Sequence, residues 1–276
     1  MRLFLLTALT MTAFAANSVL NRVAVADFGM DPMVFAVIRT IAGALMLAGL
    51  VLARGRVPDF GTKRFVGAVA LAAYMIGFSW AYMTLGAGLG ALILFGVLQV
   101  VMFSFAVTRG QAIPPLRWAG AGIAFVGLIV LLWPSGAAAV PVLGAAAMVI
   151  AGVAWAAYTL LGQGEPDALA ASAGNFVLCV PLVALALLGG WGGALSFAGV
   201  ALAVIAGAVT SGLGYALWYR VLPQIPTTIA AIAQLSVPVI AVFAGVLLLD
   251  EVLTIRLVVA GALVLGGIAV SLARKA

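Results

Sequence analysis

The chain has 276 residues, 66% hydrophobic and only 7% charged, with a mean hydropathy of +1.32. Soluble domains run at roughly 45–50% apolar and about 25% charged, so this composition excludes a water-facing enzyme, a nucleic-acid-binding domain and a secreted disulfide scaffold. The 13 Lys and Arg outnumber the 7 Asp and Glu but lie in short segments between apolar runs, so the basic balance is a topology signal.

Segments of about 20 apolar residues, enough to cross a bilayer, occur ten times: 3–25, 32–53, 65–83, 88–107, 116–133, 141–161, 168–188, 197–219, 227–248 and 255–272. The first opens like a secretory signal, with Arg2, an apolar run and Ala13-Phe14-Ala15. The run continues through Val19, which makes it a first spanning helix. Asp31-Pro32 supplies a cap and a first-turn proline to the second helix, Pro114-Pro115 and Pro134 bound the fifth, and Thr254 caps the tenth. Ten spans put both ends on one side. Placing them in the cytoplasm gathers Arg2, Arg54, Arg56, Lys63, Arg64, Arg109, Arg117, Arg220, Arg274 and Lys275 there and leaves Arg22 and Arg256 opposite. The loop after the sixth helix, with Glu165 and Asp167 and no base, is the exception.

The halves echo each other. Phe14-Ala-Ala-Asn17-Ser18 matches Trp155-Ala-Ala-Tyr158-Thr159, and Gln99 matches Gln234. Leu116-Arg117 with Gly122 and Gly127 matches Ile255-Arg256 with Gly261 and Gly266. Residues 1–133 and 141–272 are thus expected as two copies of a five-helix unit. An odd number of spans inserts the copies in opposite orientations and places a binding site near the bilayer midplane between them. The predicted fold is an all-α integral membrane protein of ten transmembrane helices in two inverted repeats around a central cavity, with both termini cytoplasmic.

Arg39 lies seven residues beyond Pro32, about 10 Å into the bilayer, where a charge is expensive unless it faces the interior or water. It is either a fork for a substrate carboxylate or a structural arginine held by helix-end carbonyls or by Asn17 and Asn175. Asn175 is its counterpart in the repeat. Tyr74, Phe78 and Tyr82 form one stripe on the third helix, the sixth carries Trp155 and Tyr158, and the eighth carries Tyr215, Trp218 and Tyr219. The deeper rings (Tyr74, Phe78, Trp155, Tyr158, Tyr215) are expected to line the cavity with Gln99 and Gln234. Tyr82, Trp133, Trp191 and Trp218, near helix ends, suit an interfacial belt. Pro181 and Pro238 free the carbonyls of Val177 and Gln234 and mark helix bends or gates, and glycines such as Gly86, Gly90, Gly122 and Gly127 serve close helix packing. Cys179, in an apolar setting, is expected as a packed thiol.

Two five-helix halves of this size resemble the drug/metabolite transporter superfamily in its EamA-type branch. The likeness is carried by Phe14-Ala-Ala-Asn17-Ser18, Ile38-Arg39, Gly152-Val-Ala-Trp155-Ala-Ala-Tyr158 and Leu249-Asp250-Glu251-Val-Leu-Thr254. Gly88-Leu-Gly-Ala-Leu-Ile-Leu-Phe-Gly-Val-Leu-Gln99 is further similar to the YddG-type exporters of aromatic amino acids. The first half departs from the pattern with Arg109-Gly-Gln111 where the second has Asp250-Glu251, and the sixth helix is followed by an acidic loop.

The resemblance implies an exporter of aromatic or hydrophobic amino acids and related metabolites in the bacterial inner membrane. The alternatives are a multidrug exporter of flat organic cations, which Arg39 opposes, or a channel. All seven acids fall in or near loops, and an arginine does not release its proton, so passage down the solute's own gradient is expected. There is no phosphate-binding Gly-x4-Gly-Lys loop, no histidine and no intramembrane carboxylate, so ATP hydrolysis, an enzymatic centre, a metal and a cofactor are not expected. The expected partners are a small-molecule solute and membrane lipid, not nucleic acid, with the chain a monomer or weak homodimer.

Overall fold

The computed structural model describes residues 1–110, 113–133, 140–162, 165–190, 192–221, 224 and 233–272. Among them there are helices and no strands. Helix α1 (Arg2–Arg22) runs without a break past Ala13-Phe14-Ala15 and widens into a π-helical end over Val23–Asp27. There follow α2 (Pro32–Leu52), α3 (Thr62–Ala81), α4 (Ala87–Thr108), α5 (Pro115–Leu132) and α6 (Val142–Leu161). Helix α7 (Ala168–Ala184) tightens into a 3-10 turn over Leu185–Gly189. Helix α8 (Phe197–Val221) is π-helical in its middle, Ala206–Leu213. The last two are α9 (Ser236–Leu248) and α10 (Ile255–Leu272).

The first eight are long and apolar enough to cross a membrane, and α9 and α10 are shorter apolar helices. Leucines, valines and phenylalanines stand exposed along most of them, Leu45, Phe65 and Leu247 for example, a surface that only a hydrocarbon solvent tolerates. The protein is a multi-pass membrane protein. Of the predicted ninth span, residues 227–232 lie outside the described residues, and a turn at Leu235 separates residues 233–234 from α9.

Local chemistry sets the starts. Asp31 accepts hydrogen bonds from the Met33 and Val34 amides at 2.8 and 3.1 Å, and Thr254 from Leu257 at 3.1 Å, as the sequence predicts. Asp167 and Ser196 cap α7 and α8 in the same way. The start of α4 is capped from a distance. Glu251, in the α9–α10 connection, accepts from the Ala87 amide at 2.6 Å and more weakly from Gly88, where the helix dipole favours an anion. Five residues on, Arg256 at the start of α10 donates from Nε to the Val130 carbonyl at 2.8 Å and from Nη2 to that of Trp133, closing the C-terminus of α5.

The packing partners follow a rule. Helix α3 packs on α6 and α7, α8 on α1 and α2, α4 on α6, and α9 on α1; α2 pairs with α7, α4 with α9, and α5 with α10. These pairings are unchanged when each helix is exchanged for the one five places along; the contacts of α4 with α1, α5 and α10 fall outside that exchange. The connections meet at both ends. The α2–α3 connection joins the start of α7 through the Asp59 amide and the Ala170 carbonyl at 3.1 Å, through Arg56–Asp167 at 2.9 Å, and through Arg64, which pairs with Asp59 and Glu165. The two acids that stood out as an exception to the charge pattern are therefore partners of bases from the first half. At the opposite end, the α7–α8 connection meets Gly29 and Asp31 through the Ala194 and Gly192 amides.

Helices α5 and α10 touch backbone to backbone. A β-carbon on Gly127 would sit 2.8 Å from the Val264 amide nitrogen, and one on Gly267 would sit 2.6 Å from the Gly120 carbonyl. The contact glycines are thus Gly120, Gly127 and Gly267. Of the glycines singled out from sequence, Gly122 and Gly266 face open space and Gly261 makes only an ordinary contact, because two residues along a helix turn the side chain by about 200°. Replacing Gly120 or Gly267 by leucine is expected to cost about 1–3 kcal/mol and lower the thermal unfolding midpoint in detergent. Gly122→Leu should leave the midpoint unchanged.

Candidate functional site

Arg39 is the largest side chain without solvent exposure. Its guanidinium donates from Nε and Nη2 to Ser211 Oγ, each at 3.2 Å, and from Nη2 to Tyr74 Oη at 3.2 Å. The rings of Tyr74 and Phe78 lie 5.5 and 5.1 Å from its central carbon, an added cation–π attraction. Ser211 and Thr210 in turn donate to Asn17 Oδ1 at 3.3 and 2.6 Å. Arginine, serine and asparagine so form a chain across α2, α8 and α1. Nη1 has no hydrogen-bond partner, and the arginine has no acidic partner, among the described residues.

The sequence missed Thr210 and Ser211. The signal was a hydroxyl pair inside an apolar span, set among Gly207, Gly212 and Gly214. What makes the pair useful is the π winding of α8, the wider form of helix that recurs at functional sites and re-aims side chains by a fraction of a turn. Of the two structural partners considered for Arg39, Asn17 acts one bond further back and Asn175 does not reach it; Ser211 and Tyr74 do.

The aromatic side chains join into one cluster. From Tyr74 the centroids step 5.2 Å to Phe78 and 4.9 Å to Trp155, then from Trp155 5.5 Å to Tyr158 and 5.6 Å to Tyr215, both stacked. Phe14 and Phe176, which the sequence did not offer as lining residues, close on Tyr215 edge-on at 5.6 and 5.8 Å. The cluster unites Tyr74, Phe78, Trp155, Tyr158 and Tyr215 as anticipated, from α3, α6 and α8.

Two expected belt residues belong to it as well. Tyr82 is fully buried with its ring 4.8 Å from Phe78, and Trp218 is buried against Phe14 at 6.3 Å. They stand near helix ends in sequence, but Gly90 of α4 makes room for the Tyr82 ring, and α1 covers Trp218. Trp133 is exposed as a belt residue should be, and Trp191 lies outside the described residues.

A second polar group sits beside the rings. Tyr158 donates to Ser172 Oγ at 3.3 Å, and Ser172 lies 2.9 Å from Tyr219 Oη. Asn175, one turn along α7 from Ser172, is 6% exposed, and its Oδ1 has no partner among the described residues. Gln99 and Gln234 stand apart: both are half-buried, and neither makes a side-chain hydrogen bond among the described residues. Pro181 lies inside α7, which continues to Ala184. Pro238 is the third residue of α9, where a missing amide hydrogen costs no intrahelical bond, so it does not interrupt a helix running through Gln234.

Two apolar clefts open sideways. One of about 610 Å³ lies among α4, α5 and α6, lined by Val97, Val101, Phe125 and Trp133; the other, of about 550 Å³, runs between α2 and α8 along Ile38, Leu45, Met46 and Val204. None of the predicted lining residues borders either cleft. The rings among them (Tyr74, Phe78, Trp155, Tyr158 and Tyr215) pack on one another instead.

The model of the EamA-like transporter family matches residues 142–273. An uncharacterised protein of Pseudomonas aeruginosa is 46% identical over 275 residues, covering 99% of this chain and 96% of its own length. An uncharacterised transporter of Archaeoglobus fulgidus is 27% identical over 242 residues, 85% of this chain and 84% of its own. A solved crystal structure of 20% identity superposes with a TM-score of 0.69 over 96% of this chain and 97% of its own, a likeness of fold.

Ser211→Ala and Tyr74→Phe each remove a neutral partner from a buried cation. Each is expected to lower stability by about 1–3 kcal/mol, read from thermal unfolding in detergent. The pair, sharing one guanidinium, should be non-additive.

Proposed function

We propose that this chain, whose residues 142–273 match the EamA-like transporter family, is a member of that family and exports aromatic or hydrophobic amino acids and related metabolites by alternating access. In this reading residues 1–133 and 141–272 are two inverted five-helix repeats, both termini are cytoplasmic, and the chain sits in a bacterial inner membrane as a monomer or weak homodimer. The exchange symmetry of the helix contacts supports the repeat, and the family-model match over residues 142–273 supports its boundary. Rocking of one repeat against the other would open the central cluster to each side in turn.

The observation that carries the substrate class is Arg39. A permanently charged group in an apolar interior calls for a compensating anion, and here neutral hydroxyls and ring faces hold it in its place. With Nε and Nη2 held by Ser211 and Tyr74, Nη1 is left to meet a carboxylate in a charge-assisted hydrogen bond. The stacked faces of Trp155, Tyr158 and Tyr215 suit a flat apolar body beside that carboxylate. A flat cation would be repelled, and a sugar phosphate would need several bases where one is present.

The acids are spoken for at helix ends and connections. Glu251 caps α4, Asp31 caps α2, and Glu165 and Asp167 pair with Arg64 and Arg56. With no acid inside the bundle to relay a proton, transport runs down the solute's own gradient. In proteoliposomes an imposed pH gradient should not drive accumulation above equilibrium; uphill uptake would overturn this.

Arg39→Ala is expected to cut uptake of phenylalanine and tryptophan by about tenfold to a hundredfold while an uncharged, carboxylate-free aromatic solute is carried as before. Equal loss of both classes, together with poor yield of folded protein, would make the arginine structural.

A further inference from the structure

We propose that Asn175 is a second, hydrogen-bond-accepting station of the same path, selecting solutes that carry a donor on the flat body at the end opposite their acidic group. This deepens the reading of Arg39 as the carboxylate's partner and rests on it. Four buried polar atoms lack hydrogen-bond partners among the described residues, on Asn21, Arg39, Arg64 and Asn175, and two of these that flank the Tyr74–Trp155–Tyr158 rings have opposite character: Arg39 Nη1 can only donate, and Asn175 Oδ1 can only accept. Leaving either dry costs free energy that a bound solute with the complementary group recovers.

Helix α3 gives their spacing. Asn175 packs against Gly67, where a β-carbon would come 2.7 Å from its Oδ1, and Arg39 is hydrogen-bonded to Tyr74. Gly67 and Tyr74 are seven residues apart, two turns on one face, or about 10 Å along the axis. Between the two levels run the ring faces of Tyr74, Trp155 and Tyr158. Tyr158 donates to Ser172, which lies against Tyr219, and although the Asn175 amide stands within reach of Tyr158, no hydroxyl among the described residues bonds its oxygen. A site that is anion-binding at one end, flat and apolar in the middle and acceptor-bearing at the other fits a hydroxyaryl or indolyl acid. The carboxylate of such a solute meets Arg39, and its phenolic hydroxyl or ring N–H meets Asn175. The plain phenyl analogue leaves the amide unsatisfied. That gives discrimination by a missing hydrogen bond, which is sharper than discrimination by a methylene.

The test is ligand-induced thermal stabilisation of the purified full chain in detergent, titrated with two matched pairs: tyrosine against phenylalanine, and 4-hydroxyphenylacetate against phenylacetate. The wild type should bind the hydroxylated member of each pair roughly tenfold to a hundredfold more tightly. Asn175→Leu, nearly isosteric, should bring each pair to parity by weakening the hydroxylated member alone, and Asn175→Asp, which keeps an acceptor, should keep the preference. Parity in the wild type, or a preference that survives Asn175→Leu, overturns the proposal even if amino acids are transported. Selective binding of the hydroxylated acetate with no binding of either amino acid overturns the amino-acid reading and leaves Asn175 standing. Binding of no member of either pair overturns both. Unfolding midpoints without ligand report whether the variants fold, and Asn175→Asp carries the test if the leucine variant does not.

Discussion

A permanent positive charge buried in an apolar bundle is the constraint around which the centre of this protein is built. Arg39 cannot shed its proton, so the surrounding helices must supply dipoles and ring faces wherever the guanidinium lies. They do so from three helices. Helix α8 gives Ser211, α3 gives Tyr74 and Phe78, and α1 gives Asn17, which orients the serine from behind. Every member of this chain is neutral, so the charge is solvated but not cancelled.

Backbone packing lets these groups converge. Gly207 of α8 lies directly against the Arg39 carbonyl, and Gly43 of α2 lies against the Phe176 ring, where a β-carbon would come within 2.6 Å. A larger residue at either point would push α2 away from α8 or α7 and lift the guanidinium from its serine. The π winding of α8 serves the same end, since it starts beside Gly207 and carries Thr210 and Ser211 onto the face of Asn17 and Arg39. Irregular backbone at membrane depth is tolerated because it is covered by protein, and here the cover is the polar chain itself.

The two ends of the bundle are built differently although the same helices meet there. One joins the halves by ion pairs, with Arg64 buried between Asp59 and Glu165 and Arg56 on Asp167; the other joins them by hydrogen bonds, with Asp31 and Glu251 accepting from backbone amides of the opposite half. The fold therefore joins its halves through paired charges on one side and through charged side chains and loop backbone hydrogen-bonded to one another on the other. The acidic connection after α6 makes sense only in this light. Read alone it breaks the charge pattern, and read with the α2–α3 connection it is the second half of a set of pairs.

Most helix boundaries were legible because they rest on local physics: hydrocarbon thickness sets the length of each span, and a carboxylate or hydroxyl before a proline or an apolar run marks its start. Asp31 and Thr254 act as expected for that reason. The rings of Tyr74, Phe78, Trp155, Tyr158 and Tyr215 were also legible, since large aromatic groups with polar tips inside a span seek one another. Tyr82 and Trp218 were not, because nearness to a helix end says nothing about which neighbour covers that end. The packing glycines shifted from Gly122 to Gly120 for a related reason: a repeat in sequence identifies equivalent positions without saying which face they present. By itself, then, the sequence determined a helical membrane protein, the position of most spans, and one buried arginine among rings. Only tertiary structure decided that Ser211 and Tyr74 hold that arginine, that Glu251 caps a helix more than 160 residues away, and that Asn175 stands with an unanswered acceptor. Span length and capping depend on neighbours within a few residues, whereas these partnerships depend on the rotation and depth at which distant helices pack.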